Sequence, residues 1–292
     1  MWTGIEILYG LQEFRLQNPL AEDIAVALSG RVFFQVIPFM VVAALYWFVD
    51  KRQGEIVGLT FAASMAIGYL AKLIIDQPRP WVLTDGELVR VPGANAASSS
   101  LPSGHTIAVF STLVASAVLR RNILFASVML ALTAMVVASR LILCVHTPLD
   151  VISAAALSLA VFLVMWKAMD WAYDDDRRYQ AFNVCLLVAV TVAAVLSAGF
   201  LGIDISISLE YLSFFYGTVA GRMLERIYVR RRIPDSELRT KLSLYILGMM
   251  AAAALILVPR AVDTYYGTIA GGFLISFWVF FVYPWVLSKR IE

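Results

Sequence analysis

The chain has 292 residues, 61% of them apolar and 15% charged, with a net charge of +2. Soluble globular proteins carry roughly a quarter charged residues, so this composition, with its mean hydropathy of +0.79, excludes a soluble enzyme, a disordered tail and a coiled coil. No basic cluster lies outside the predicted loops, which excludes nucleic acid as a partner. At ~20 residues per crossing, the length allows at most about ten spans. The composition defines an all-α, polytopic transmembrane helix bundle.

Residues 4–16 place Ile7, Leu11 and Phe14 on one helical face, with Glu6, Gln12 and Glu13 turned away. The segment is too short and too polar to span and reads as a helix in the membrane interface. The first span is Val32–Val49, ended by Asp50-Lys51-Arg52. The second runs from Ile56 to about Ile75 and stops before Pro78 and Pro80, because proline cannot continue a helix. Residues 81–101 form a loop with few large apolar side chains.

Spans three and four are Ser103–Leu119 and Ile123–Leu143, joined tightly by Arg120-Arg121-Asn122. Span five runs from Pro148 to about Ala168 and span six from Ala181 to Phe200. The acidic run Asp174-Asp175-Asp176 between them has no second ligand cluster nearby and reads as a solvated loop. Spans seven to nine are Leu209–Val229, Leu242–Val258 and Thr268–Leu287. In span seven, Arg222, Glu225 and Glu210 are expected to pair internally, and Gly217 and Gly221 to mark a close helix contact. Cys144 and Cys185 are expected to be buried, unpaired small hydrophobes.

Nine spans put the termini on opposite sides. Loops on the C-terminal side hold fifteen Lys and Arg against seven on the other, so the positive-inside rule makes the C-terminus cytoplasmic. The protein is then a multi-pass protein of the cell membrane, or of the endoplasmic reticulum if eukaryotic.

The two histidines of the chain, His105 and His146, are separated by 40 residues, one helical hairpin out along span three and back along span four. At ~1.5 Å per residue each leg covers most of a ~30 Å hydrocarbon core. Both histidines therefore return to the same outer face, where Lys72, Arg79 and Arg140 also end. Singly, each cation reads as a snorkelling interface residue. Together, charges gathered near the membrane are costly without a purpose.

The spacing is Lys72, six residues, Arg79-Pro80; then Pro102-Ser103-Gly104-His105; then Ser139-Arg140, five residues, His146, three residues, Asp150. This resembles the three-part signature of the type 2 phosphatidic acid phosphatase superfamily, which includes lipid phosphate phosphatases, glucose-6-phosphatase and vanadium haloperoxidases. All eleven defining positions match in order. The likeness is close over about residues 65–155 and looser at Leu45-Tyr46-Trp47 and Asp50, which look like the sphingosine-phosphate phosphatase subgroup. Ile142 and Cys144 depart from it, standing where many members have an aromatic residue and glycine.

The resemblance implies an N-terminal interfacial segment over 1–30, a six-span catalytic core over 31–202 and a three-span extension over 203–292. It implies a phosphatase acting on a lipid phosphate or diphosphate at the extracytoplasmic face, with the substrate and membrane lipids as partners. His146 is expected to attack phosphorus, Asp150 to orient it, and His105 to protonate the leaving oxygen and then activate water. Lys72, Arg79, Ser103, Gly104 and Arg140 are expected to hold the phosphate, with guanidinium forks and the N-terminus of span three suited to an anion. Neither metal nor cofactor is implied. A soluble-phosphoester phosphatase, a lipid phosphotransferase and a non-enzymatic transporter or scramblase stay open as alternatives.

Overall fold

The computed structural model describes residues 4–30, 32–94, 96, 98–199, 202, 204–233, 236–261 and 265–290. It is 82% helical, and no strand occurs among the described residues. Among the described residues seven helices are long and apolar enough to cross a membrane, which marks the chain as a membrane protein. They are α3 (Val32–Val49), α4 (Lys51–Ile75, counted to Leu83), α7 (Ile123–Ile142), α8 (Pro148–Ala172), α9 (Asp176–Gly199), α11 (Leu238–Ala261, counted to Leu255) and α12 (Tyr265–Phe277, continuing to Lys289). The expected third span is the helix α6, Gly104–Arg120, apolar but shorter. The expected seventh is α10, Ser206–Leu224 and a π-helical turn Glu225–Val229, whose polar residues keep it out of the seven. Phe200, the expected end of span six, lies outside the described residues.

Helix ends follow local chemistry. Asp50 is extended, ending α3, and its carboxylate accepts from Gln53 N at 3.0 Å to cap α4. Arg121 is left-handed (φ 48) and Asn122 accepts from Phe125 N at 2.9 Å, so α6 stops and α7 starts within two residues. Asp175 caps α9 through Arg178 N at 2.9 Å.

The chain divides into two compact units, 1–39 with 67–162, and 40–66 with 163–292. In the first, the N-terminal segment folds as α1 (Glu6–Gln17) and α2 (Pro19–Leu28). Ile7 and Phe14 are exposed, while the inward face of α1 is formed by Leu8 and Arg15. Leu8 packs with Leu88 and Cys144, and Ala25 of α2 with Val91, Ala94, Ala96, Leu143 and Val145. Through Leu88, Val91, Ala94 and Ala96 the connection after α4 is thus packed against α1, α2 and the turn after α7.

In the second unit, Trp47 Nε1 donates to Val279 O at 2.9 Å and Tyr46 Oη to Phe280 O at 3.3 Å. A Cβ at Gly217 would fall 2.4 Å from Phe273 O, so α10 and α12 touch backbone to backbone as their glycines predict. Arg222 and Glu225 find their ion-pair partners outside span seven. Arg222, fully buried, donates through Nε and Nη2 to Glu55 Oε2 at 3.2 and 3.0 Å and through Nη1 to Asn183 Oδ1 at 3.0 Å; Tyr179 Oη also donates to Glu55 at 2.6 Å. Glu225 instead takes Lys51 Nζ at 2.5 Å. Both cysteines are free, but only Cys144 is buried; Cys185 is exposed, contrary to expectation, because it lies on an outward face of α9. Asp176 accepts from Arg226 and Arg230, so one member of the acidic run is held by cations.

Removing one partner of a buried ion pair strands the other charge, at about 3–5 kcal/mol. Arg222→Ala should lower the unfolding temperature of the detergent-solubilised protein strongly. The double variant Glu55→Gln/Arg222→Met should recover much of the loss. Equal losses in both would contradict this account of the pair.

Candidate active site

All eight residues singled out from the sequence lie in the first unit and are buried. Lys72 sits in the last turn of α4, and Nζ donates to Ser99 O at 2.6 Å and Ser100 O at 3.2 Å. Arg79 precedes the short helix α5 (Pro80–Leu83). Its Nε donates to Ser98 O at 2.7 Å, and its Nη1 reaches Val145 O at 2.6 Å and His146 Nε2 at 3.1 Å. The 98–100 loop thus turns three carbonyls onto two cations, and Arg79 ties that loop to the turn carrying His146.

The turn itself follows from its sequence. Cys144, left-handed at φ 51, ends the run from α7, at the position where the related pattern has glycine, the residue with least penalty there. Thr147 and Asp150 then form a reciprocal capping box around Pro148, the first residue of α8. Thr147 N donates to Asp150 Oδ2 at 2.7 Å, and Asp150 N donates to Thr147 Oγ1 at 3.3 Å. Asp150 Oδ2 also accepts from Ser100 Oγ at 2.5 Å, and its carbonyl accepts from Ser103 N at 3.1 Å. The box holds the carboxylate 3.4 Å from His146 Nδ1, within ion-pair distance but off the geometry of a formed hydrogen bond.

A guanidinium can only donate, so His146 Nε2 accepts from Arg79 and the ring proton belongs on Nδ1, facing Asp150. Burial pushes the His146 imidazole well below its ordinary pKa, and Arg79, Lys72, Arg140 and His105 push it the same way. The ring is therefore neutral, with the lone pair on Nε2: the state a nucleophilic imidazole needs.

Ser103 N-caps α6, its Oγ accepting from Thr106 N at 3.5 Å and Thr106 Oγ1 at 3.0 Å. A Cβ on Gly104 would lie 3.2 Å from Tyr69 Oη, a contact tight enough to favour glycine there. His105 stacks on Phe34 with ring centroids 4.6 Å apart, and its Nε2 lies 2.9 Å from Ser29 O. Arg140 Nη1 donates to the hydroxyl of the same Ser29. Sequence reasoning missed Ser29, Phe34 and the 98–100 carbonyls. A serine run beside Pro102 is a weak signal for the last; Ser29 and Phe34 carry none.

With this geometry in place, the family comparison has a structural counterpart. The model of the PAP2 superfamily, the type 2 phosphatidic acid phosphatases, matches residues 54–174. That segment carries Lys72, Arg79, Ser103, Gly104, His105, Arg140, His146 and Asp150, and over it the chain is similar to the superfamily. No curated protein and no solved structure matches the chain. The match is to a superfamily of phosphatases, and the apolar helices mark the chain as a membrane protein.

The depressed His146 pKa has a sign that can be checked. Below pH 6.5 the unfolded chain binds a proton at this residue that the folded chain refuses, so stability falls as pH drops. Wild-type protein should lose thermal stability faster than His146→Gln between pH 7 and pH 5. Parallel curves would show that His146 titrates normally in the folded protein.

Proposed function

We propose that the protein hydrolyses a lipid phosphate or lipid diphosphate through a phosphohistidine on His146, without a metal. The observation that carries this reading is the neutral His146 ring, its Nε2 against Arg79 Nη1 and its Nδ1 towards Asp150. Phosphoryl transfer asks a protein chiefly for positioning and for neutralising three charged oxygens. Here Lys72, Arg79 and Arg140 exchange part of their present hydrogen bonding for those oxygens, Gly104 brings its backbone donor at the start of α6, and Ser103 caps that helix.

Nε2 attacks phosphorus in line, the bond from phosphorus to the ester oxygen breaks, and His105, which enters the step doubly protonated beside the bound phosphate anion, delivers its Nδ1 proton to the departing oxygen. Water, deprotonated by His105, then attacks the phosphohistidine and frees phosphate and Nε2. Asp150 stabilises the positive charge that His146 acquires in between. A lipid is favoured because exposed apolar side chains flank the site: Ile74 and Ile75 follow Lys72, and Ile152 follows Asp150. An acyl chain leaving the phosphate sideways meets such a surface. The charge asymmetry of the loops supports an extracytoplasmic site.

His146→Ala should abolish turnover and the acid-labile phosphoenzyme, vanadate should inhibit, and EDTA should leave the rate intact. Full activity of His146→Ala would overturn the mechanism. Each buried methylene contributes ~0.8 kcal/mol, so kcat/KM should fall steeply from long-chain to short-chain substrates. Equal efficiency on glucose 6-phosphate would favour a soluble ester. For the side of the membrane, a cysteine at the exposed Val89 should react with an impermeant thiol reagent added outside cells, and one at the exposed Glu237 should not, both in a background lacking Cys144 and Cys185. The reverse pattern would put the site in the cytoplasm.

A further inference from the structure

The N-terminal segment lies outside the residues that match the family, yet it touches two of the functional side chains. Ser29, wholly buried just past the end of α2, presents its carbonyl to His105 Nε2 at 2.9 Å and its hydroxyl to Arg140 Nη1. Its position is set locally: its N–H donates to Ala25 O at 3.0 Å and Val26 O at 3.1 Å, closing the last turn of α2. Ala25 is itself anchored in the apolar cluster with Val91 and Val145. Five residues on, Phe34 lies against the His105 ring at 4.6 Å and 28°, which limits rotation of the imidazole about its own axis.

We infer that Ser29 is a positioning residue for both halves of the reaction proposed above: its carbonyl selects the tautomer of His105, and its hydroxyl sets the Arg140 fork on the phosphate. A carbonyl only accepts, so it holds the proton on Nε2 and leaves Nδ1 as the nitrogen that exchanges protons with the leaving oxygen and with water. In His146 the Arg79 donor on Nε2 and the Asp150 carboxylate 3.4 Å from Nδ1 put the proton on Nδ1, leaving the Nε2 lone pair to attack. The two histidines thus present opposite ring nitrogens, each selected by its neighbours. Phe34 keeps the His105 ring in the plane in which that selection works.

This rests on the phosphatase reading, and the test separates the two. Activity is measured on a long-chain alkyl phosphate, whose leaving oxygen needs a proton, and on p-nitrophenyl phosphate, whose leaving group does not. If wild-type protein turns over neither, the phosphatase reading itself fails. Given activity, Phe34→Ala should lower kcat on the alkyl phosphate about tenfold more than on p-nitrophenyl phosphate, because loss of a positioned general acid is felt where the leaving group is poor. The ratio does not depend on how much of the variant is folded. Ser29→Ala keeps the carbonyl and removes the hydroxyl. It should leave that ratio unchanged while raising KM and the vanadate inhibition constant roughly tenfold, the scale of a hydrogen bond to a charged group. In an Arg140→Ala background, Ser29→Ala should have no further effect. Equal losses on both substrates for Phe34→Ala, or an undiminished Ser29→Ala effect without Arg140, would overturn the assignment and leave the segment a structural prop.

Discussion

The first unit is organised around an excess of buried positive charge. Lys72, Arg79 and Arg140 are all at or below 7% exposure, and the carboxylate among the site residues is Asp150 alone. Two unit charges 4 Å apart interact by about 4 kcal/mol even at an effective dielectric of 20, so like charges gathered out of water need compensation. Part of it comes from dipoles: the Ser98, Ser99, Ser100 and Val145 carbonyls and the Ser29 hydroxyl all turn onto these cations. Dipoles reduce the repulsion without cancelling the charge. On the function proposed above the remainder is met by the substrate, since a tetrahedral phosphate has the charge and the number of oxygens to meet it.

That requirement shapes the elements around it. The 98–100 loop delivers carbonyls to α4 and to Arg79, the capping box at the start of α8 fixes Asp150, and the left-handed Cys144 sends the chain from α7 back towards the cations. Each is a short-range device, set by a residue or two, and together they bring three separated stretches of sequence to one place. Burial and the same excess charge together hold His146 neutral, so in the proposed reaction the groups that attract the phosphate also prepare the side chain that attacks it.

How much of this the sequence reveals follows from the range of each interaction. Lys72, Arg79, His105, Arg140, His146 and Asp150 are legible because their residue types are rare in apolar helices and their spacing along two hairpin legs returns them to one level. Ser29 is not, because what it offers His105 is a backbone carbonyl, which any residue at that position possesses. The partner of Arg222 is equally hidden: Glu55 lies 167 residues away, and local reading pointed instead to acids on its own helix. Span counting meets a related limit. Hydropathy along 206–229 does not register that Arg222 and Glu225 are paired with Glu55 and Lys51, so the segment forms a helix but is too polar by composition to join the seven.

The two charge clusters, Lys72, Arg79 and Arg140 in the first unit and Arg222 with Glu225 in the second, are compensated differently, and the contrast bears on which of them suits the proposed chemistry. In the second, Arg222 meets Glu55, Lys51 meets Glu225, and Asn183, Tyr179 and Trp47 take up neighbouring hydrogen-bonding positions. The Arg222 and Glu225 charges there are each matched by an opposite charge, while Arg231 is met by the Trp47 carbonyl. In the first, cations are matched mainly by dipoles that a stronger ligand can displace. A buried charge completed by its own protein is a structural tie; one left incomplete is costly unless a ligand completes it. By that criterion the phosphate chemistry belongs to the unit holding both histidines, and the paired charges of α10 serve to fasten helices.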